Sequence, residues 1–242
     1  MMLPTVRERP SPNHQRRSEP AHIDMLVLHY TGMRTAGEAI DRLCDPAARV
    51  SAHYVVEEDG TVWRLVPEGL RAFHAGRSCW AGGSDLNDVS IGIEIVNPGH
   101  EWGYRPFPEV QLAAVERLSA ALLARFAIPP HRVVGHSDIA PDRKSDPGEL
   151  FDWARLARAG IGIWPEPDTG LAHRRGIGVV DRAAALADLA AIGYCVTAAV
   201  ETAAVTAFQR RFRPARWDGR VDAETALRLA EVRAAYDRVR RS

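Results

Sequence analysis

Residues 133–148 read VVGHSDIAPDRKSDPG, and the predicted fold is built outward from this stretch. Two apolar residues, which are typical of a short buried strand, lead into a glycine and then into His136. A loop of nine residues separates His136 from Asp146. A histidine nitrogen and an aspartate oxygen are both zinc ligands, and a loop of this length can fold back to present the two side chains together. One such pair is weak evidence alone, so a metal site requires a third ligand and a base.

Two upstream segments offer these groups. Residues 26–31, LVLHYT, have the pattern of a buried strand with His29 near its carboxyl end, where α/β sheets commonly place their sites. Residues 90–97, SIGIEIVN, form a second apolar strand in which Glu94 is the one acid. A buried carboxylate is costly unless it is paired or works beside a metal. His29 would add a third ligand to the first two and leave the fourth zinc position open for water, as in a catalytic site.

The strings LVLHYTG, SIGIEIVN and GHSDIAPDRKSDPG resemble the zinc-dependent N-acetylmuramoyl-L-alanine amidases of type 2, the AmpD/AmiD-like family. Their order, identity and spacing match together, and the resemblance covers residues 22–160. It implies one zinc ion with three protein ligands: His29, His136 and Asp146. It also implies that Glu94 is the general base and that Lys144 stabilises the transition state.

The resemblance implies a reaction as well. The bond cut would be the amide between N-acetylmuramic acid, or its 1,6-anhydro form, and L-alanine of a stem peptide. Peptidoglycan or muropeptides would be the substrate, in cell-wall turnover or recycling. Two alternatives remain: a secreted or phage-type lysin that acts on intact wall, and a non-catalytic peptidoglycan-binding protein. The second is disfavoured, because the three ligands and Glu94 are all present.

Several side chains are candidates for contact with substrate. His74 lies in AFHAG, a string that recurs in this family beside the substrate groove, and we expect it to contact substrate or to support a zinc ligand. His53, at the start of a predicted hairpin, is expected to pack within the fold. Aromatic faces stack on sugars while keeping a polar handle, which makes candidates of Tyr30, Trp80, Trp102 and Tyr104. Trp80 lies in a glycine-rich loop, so we expect its side chain to be exposed.

The apolar pattern alternates between strands and helices and predicts an α/β fold, with a mixed central sheet flanked by helices. Strands are predicted at 25–30, 90–97 and 133–134, together with a hairpin that turns at Asp59-Gly60. Helices are predicted at 36–44, 108–126 and 150–159. The family resemblance implies the same architecture.

A small all-α domain is predicted after residue 160. Residues 161–178 are rich in glycine and proline and are typical of a linker. Helical patterns follow at 183–192, 197–212 and 221–240. Within them, VTAFQRRF, DGRVD and Thr225 resemble the three-helix peptidoglycan-binding module. We therefore predict an amidase domain, a linker and a peptidoglycan-binding-like domain, at residues 22–160, 161–178 and 179–242. The last is small for independent stability, so docking on the first is expected.

Composition excludes some classes of partner. The chain has 242 residues, of which 46% are hydrophobic and 26% charged, as in soluble globular proteins. Its 31 basic and 31 acidic residues balance, which argues against nucleic acid or an anionic membrane as the main partner. No segment is apolar and long enough to span a bilayer.

The amino-terminal residues and the cysteines predict the compartment. Residues 1–22 have no apolar core of the kind found in signal peptides, which favours a cytoplasmic location, with export by an unrecognised route left open. The three cysteines, Cys44, Cys79 and Cys195, are odd in number and widely spaced. This pattern predicts reduced thiols. No partner motif supports Cys79 as a nucleophile.

Overall fold

The computed structural model of the protein describes residues 5–19, 22–166 and 180–241. Its strands are β1 (Arg7–Glu8), β2 (His14–Arg16), β3 (Met25–Tyr30), β4 (Tyr54–Val56), β5 (Val62–Arg64), β6 (Leu70–Ala72), β7 (Cys79–Trp80), β8 (Gly83–Ser84), β9 (Ser90–Ile95) and β10 (Val133–Gly135). Its helices are α1 (Ala36–Cys44), α2 (Gly99–Trp102), α3 (Glu109–Phe126), α4 (His136–Ile139), α5 (Trp153–Arg158), α6 (Arg182–Ile192), α7 (Glu201–Phe212) and α8 (Ala223–Arg241). None of these helices is long and apolar enough to cross a membrane.

Six strands form the central sheet, in the order β1-β5-β4-β9-β3-β10. Strands β4 and β5 are antiparallel, whereas the other neighbouring pairs are parallel. Two-stranded sheets, β2-β6 and β7-β8, lie outside it. The predicted fold class, a mixed α/β sheet flanked by helices with an all-α carboxyl-terminal part, is confirmed.

Strand β3 is apolar on both faces because helices cover both faces of the sheet. Leu26 and Leu28 share a core with the apolar side of α3, which includes Leu118. Met25 and Val27 point to the opposite face and share a second core with the carboxyl-terminal helices. The carboxyl-terminal part of the chain therefore covers the β3 and β10 region of the second face of the sheet.

Helices α6, α7 and α8 pack directly on this second face. Leu189, Phe208 and Leu229, one from each helix, belong to the same core as Val27 and Val134 of the sheet. The docking expected from the small size of the unit is thus observed. Most of the predicted linker, residues 167–178, lies outside the described residues, and the predicted domain boundaries stay predictions.

Local sequence signals explain most element boundaries. The hairpin β4-β5 turns at Gly60, whose φ of 83° lies in the left-handed region that glycine favours. Helix α1 begins after Thr35, whose side chain accepts a hydrogen bond from the Glu38 amide. Helix α5 starts at residue 153 rather than 150, because Asp152 caps its first turn. Helix α7 starts at residue 201 rather than 197.

A disulfide joins Cys79 of β7 to Cys195, which follows α6, and their Cα atoms are 5.9 Å apart. The prediction of reduced thiols is therefore wrong for these two cysteines. They are separated by 116 residues and meet only because the helical unit packs on the β7 loop, so no local spacing could reveal the pair. Cys44 is free.

The disulfide predicts a thiol count. Protein denatured without reductant should show one reactive thiol per chain, and protein denatured with reductant should show three, as measured with a chromogenic thiol reagent. A Cys79→Ser/Cys195→Ser variant should lose about 2–4 kcal/mol of unfolding free energy, because a chain without this cross-link is less constrained when unfolded. Cys44→Ser is the matched control and should melt close to wild type. Three reactive thiols without reductant would refute the pairing.

Candidate active site

The register of three adjacent parallel strands brings the predicted site residues together. Along β3 and β9, His29 pairs with Glu94, so the two side chains lie on the same face of the sheet. On the other side of β3, Leu28 pairs with Gly135, which places His136 beside His29 at the carboxyl end of β10. The site thus lies at one edge of the sheet, where these strands end.

The three predicted metal ligands converge on one point. The Nδ1 atoms of His29 and His136 are 2.9 Å apart, and each lies 3.1 Å from Oδ2 of Asp146. All three side chains are buried, and together they form a group that could hold a metal ion. The Ser137 amide donates to the Asp146 carbonyl at 2.9 Å, so the loop folds back on itself as the sequence predicts.

The hydrogen bonds of His136 test whether this donor set fits zinc. Its Nε2 lies 3.1 Å from the carbonyl oxygen of Ala75, which can only accept, so Nε2 carries the hydrogen. In the neutral ring Nδ1 then presents a lone pair towards Asp146. Burial and the neighbouring His136 lower the pKa of His29 to about 4, so the His29 ring is neutral near pH 7. Two imidazole nitrogens and a carboxylate oxygen that face one another are a donor set that fits zinc.

Glu94 stands beside these ligands with an unsatisfied oxygen. Its Oε2 is buried and has no hydrogen-bond partner among the described residues. Burial and the negative charge of Asp146 raise the pKa of Glu94 well above its usual value, while Lys144 opposes the shift. A carboxylate held in this way accepts protons more readily than a solvated one.

A cavity of about 370 Å³ opens at this edge of the sheet. Its wall includes Glu94, His136 and Asp146 on one side and residues of α1, among them Arg42, on another. Lys144, on the exposed loop between His136 and Asp146, also lines the cavity. The cavity therefore presents two of the three ligands, the candidate base and a cation to the same space.

The aromatic candidates for substrate contact occupy different surroundings. Tyr30 lines the cavity, and its hydroxyl lies 2.8 Å from Ser145 Oγ. Tyr104 donates its hydroxyl to the Pro147 carbonyl at 2.8 Å, so it supports the ligand loop. Trp102 is 44% exposed and lies under the Arg34 guanidinium.

The prediction that Trp80 is exposed is wrong, because its side chain is 1% exposed. Its ring packs edge-on against Tyr194, with ring centres 5.0 Å apart, and a Cβ at Gly193 would lie 2.5 Å from it. Both contacts come from the carboxyl-terminal helical unit. The glycine-rich composition of the loop does indicate a turn, but the distant segment that covers the turn leaves no local signal.

His74 is buried beside His29 and also lines the cavity. Its Nδ1 is 3.0 Å from Nε2 of His29, and its Nε2 is 3.2 Å from Ser90 Oγ. A Cβ at Gly92 would overlap the His74 ring at 2.4 Å, which explains the glycine in the middle of β9. His53 is fully buried and accepts a hydrogen bond from the Gly92 amide through Nδ1, so it packs within the fold as expected.

Two supporting residues escape the sequence analysis. Arg143 donates to the Ala75 carbonyl at 2.5 Å, the oxygen that also accepts from His136. The Asn87 side chain accepts from the backbone amides of His74 and Ala75. Neither residue differs in sequence from an ordinary loop charge or loop amide, so only the fold identifies them.

Comparisons with known proteins agree with this geometry. The family model for N-acetylmuramoyl-L-alanine amidase matches residues 19–149. The chain is 40% identical over 232 residues to the N-acetylmuramoyl-L-alanine amidase AmiD of Escherichia coli K12, covering 87% of this chain and 83% of that protein. It is 39% identical over 168 residues to the 1,6-anhydro-N-acetylmuramyl-L-alanine amidase AmpD of the same organism, covering 62% and 90%.

Solved structures resemble the fold over nearly the whole chain. A structure of E. coli AmiD in complex with anhydro-N-acetylmuramic acid-L-Ala-D-gamma-Glu-L-Lys has a TM-score of 0.78 at 38% identity, over 90% of this chain and 91% of that one. A structure of AmpDh3 from Pseudomonas aeruginosa has a TM-score of 0.80 at 34% identity, over 95% and 99%. The chain therefore belongs to the N-acetylmuramoyl-L-alanine amidase family, whose type 2 members are zinc-dependent, and it hydrolyses the amide bond between N-acetylmuramic acid and L-alanine in cell-wall turnover.

Proposed function

We propose that this amidase works with one zinc ion held by His29, His136 and Asp146. The observation that carries the proposal is the convergence of three buried donor atoms within 3.1 Å of one another beside the unsatisfied Glu94 carboxylate. Zinc at this position would make a bound water more acidic and would polarise the scissile carbonyl.

In this proposal Glu94 transfers protons and Lys144 stabilises negative charge. Glu94 accepts a proton from the attacking water and later delivers it to the leaving amine of L-alanine, which would otherwise depart as an unstable anion. Its raised pKa suits this exchange, because the group must hold the proton between the two transfers. The Lys144 ammonium, on the cavity wall, offsets the negative charge that develops on the substrate carbonyl oxygen.

His74 orients His29 through a chain of hydrogen bonds. When Nδ1 of His29 serves as a ligand, Nε2 carries the hydrogen and donates to Nδ1 of His74 at 3.0 Å. His74 then donates from Nε2 to Ser90 Oγ, which in turn donates to the Leu86 carbonyl. Each step has one donor and one acceptor, so the chain selects the tautomer of His29 that binds metal.

We further propose that the substrate is an anhydro-muropeptide or a closely related fragment. E. coli AmiD and AmpDh3 each have a structure with an anhydromuramic peptide. Among the aromatic candidates, Tyr30 lines the cavity and is the one we retain as a substrate contact. Lysis of intact wall remains the alternative.

The location of the enzyme stays a prediction. Disulfides persist in oxidising compartments and are rare in the cytosol, so the Cys79–Cys195 bond favours the alternative of export over the cytoplasmic location expected from residues 1–22.

Binding of intact peptidoglycan by the helical unit also stays a prediction. Several residues that carry its resemblance to a wall-binding module act inside the unit. Gln209 accepts from the Gly219 amide and donates to Thr225 Oγ1 and to the Arg220 carbonyl. The likeness therefore supports the fold of the unit more directly than it supports contact with glycan.

The zinc assignment makes a first prediction for this enzyme. Purified protein should contain about one zinc per chain, and a chelator should abolish release of the stem peptide from an anhydro-muropeptide. Added zinc should restore that release. Liquid chromatography with mass spectrometry measures the released peptide. His29→Ala should lose both metal and activity because it removes one of three ligands. Active wild-type protein without zinc would refute the assignment.

Glu94→Gln tests the base. The substitution keeps the shape but cannot accept a proton, so kcat should fall by about 10²–10⁴-fold while zinc content is unchanged. The melting temperature should hold or rise, because glutamine carries no charge at a position where burial and Asp146 disfavour one. Glu58→Gln, on an exposed surface pair with Arg105, is the control. A near-normal kcat in Glu94→Gln would assign the base elsewhere.

Substitutions of His74 test the orienting chain. His74→Leu removes the acceptor for His29 Nε2–H, and zinc affinity should fall about 10–100-fold. His74→Asn keeps an acceptor oxygen in that direction and should recover part of the loss. Zinc competition on folded protein, with melting curves alongside, separates the two variants. Equal zinc affinity in both would show that the acceptor is irrelevant.

A further inference from the structure

Asp138 is a buried charge two residues from a zinc ligand. It is 1% exposed, and its Oδ2 accepts a hydrogen bond from the Gly135 amide at 2.8 Å. That bond caps α4, the four-residue turn that begins with His136. The carboxylate therefore ties together the two ends of the backbone segment that carries the ligand.

Among the described residues, the two side chains that bond to Asp138 come from the carboxyl-terminal helical unit. Arg211 of α7 donates from Nη1 to Asp138 Oδ2 at 2.6 Å, and Tyr194, which follows α6, donates its hydroxyl to Oδ1 at 2.5 Å. Arg211 also donates from Nη2 to the carbonyl of Val133 at 3.1 Å. A single guanidinium thus contacts the start of β10 and the turn that follows it.

An aromatic ring completes the enclosure. The Arg211 guanidinium lies 3.9 Å from the centre of the Trp153 ring. A Cβ at Gly135 would approach that same ring at 3.3 Å and Pro147, next to Asp146, at 2.8 Å. Gly135, directly before His136, is therefore packed against an aromatic ring that Arg211 also contacts.

The partners of Asp138 fix the orientation of its carboxylate. A carboxylate away from water is stable only with charged or hydrogen-bonding partners, and charge-assisted bonds in such surroundings are strong and sensitive to geometry. Because Arg211 and Tyr194 hold separate oxygens of Asp138, the carboxylate plane is set from outside the amidase part of the chain. The hydrogen bond from the Gly135 amide to Asp138 Oδ2 therefore depends on the same orientation.

We propose that Arg211 and Tyr194 are positioning residues for His136, so that the carboxyl-terminal helices complete the metal site through Asp138. This inference rests on the zinc site proposed above. It gives the helical unit a role in the reaction that is separate from any binding of cell wall.

The first test uses a matched pair of tyrosines in the full chain. Tyr194→Phe removes the hydroxyl that holds Asp138. Tyr236→Phe removes a buried hydroxyl that has no hydrogen-bond partner among the described residues. Competition with a chromophoric chelator should show zinc affinity about 10-fold weaker in Tyr194→Phe and unchanged in Tyr236→Phe. Saturating zinc should restore kcat in Tyr194→Phe, with KM near that of wild type.

The second test removes the ion pair without stranding a charge. Arg211→Met alone would leave Asp138 unpaired, so it is combined with Asp138→Asn. The double variant should bind zinc about 10–100-fold more weakly than wild type. Arg213→Met is the control, because Arg213 pairs with Asp222 and Glu224 inside the helical unit. It should lower the melting temperature but leave zinc affinity unchanged.

A zinc-free readout separates positioning from metal binding itself. Hydrogen exchange in the segment 133–146 of zinc-free protein should be faster in Tyr194→Phe than in Tyr236→Phe. Wild-type protein that binds no zinc would overturn the proposed zinc site. Wild-type binding, with zinc affinity in Tyr194→Phe and in the double variant equal to that of their controls, would overturn the inference and leave the helices as a cover for the sheet.

Discussion

The parallel register of β3, β9 and β10 fixes where the site residues lie. It places His29 directly beside Glu94 and brings His136 to the same edge of the sheet. Because both faces of these strands are buried, polar groups at that edge are enclosed and must be satisfied by a neighbour or by a ligand. The histidines meet these demands through backbone and side-chain acceptors, whereas Glu94 does not. Stability is given up where the chemistry needs a reactive carboxylate.

Burial of the second face of the sheet has equally wide consequences. Helices α6–α8 cover Val27 and Val134, and the same packing buries Trp80 and brings Cys195 to Cys79. The same packing places two arginines of α7, Arg210 and Arg211, near residues of the site. Arg211 reaches Asp138 behind His136. Its neighbour Arg210 lies 3.3 Å from Glu149, whose carboxylate contacts His100.

His100 extends this second contact to the cavity. Its Nδ1 lies 3.0 Å from the Tyr30 hydroxyl, and its ring stacks on Tyr104, which in turn holds the Pro147 carbonyl of the ligand loop. The helical unit is therefore in contact, through chains of one or two side chains, with both the metal ligands and the wall of the cavity. A role in shaping the cleft follows from these contacts independently of what the unit binds at its outer surface.

Features that depend on neighbours along the chain could be predicted from the sequence. Apolar runs predicted β3 and β9, the Asp-Gly pair predicted the hairpin, and an apolar stripe after a first-turn proline predicted α3 close to its observed bounds. The motifs, through their resemblance to a known family, also predicted the three residues that form a possible metal-binding group in the structure. Each of these signals lies within one element or one loop, where periodicity, turn chemistry and spacing are legible.

Contacts between distant segments are visible only in the folded protein. The Cys79–Cys195 bond, the burial of Trp80, the contact of His74 with His29 and the pairing of Arg211 with Asp138 all join residues far apart in sequence. None has a periodic or spacing signal, because each is produced when a whole helix or loop packs on the sheet. An arginine near the end of an amphipathic helix looks like a solvated charge until the carboxylate that it neutralises is placed beneath it.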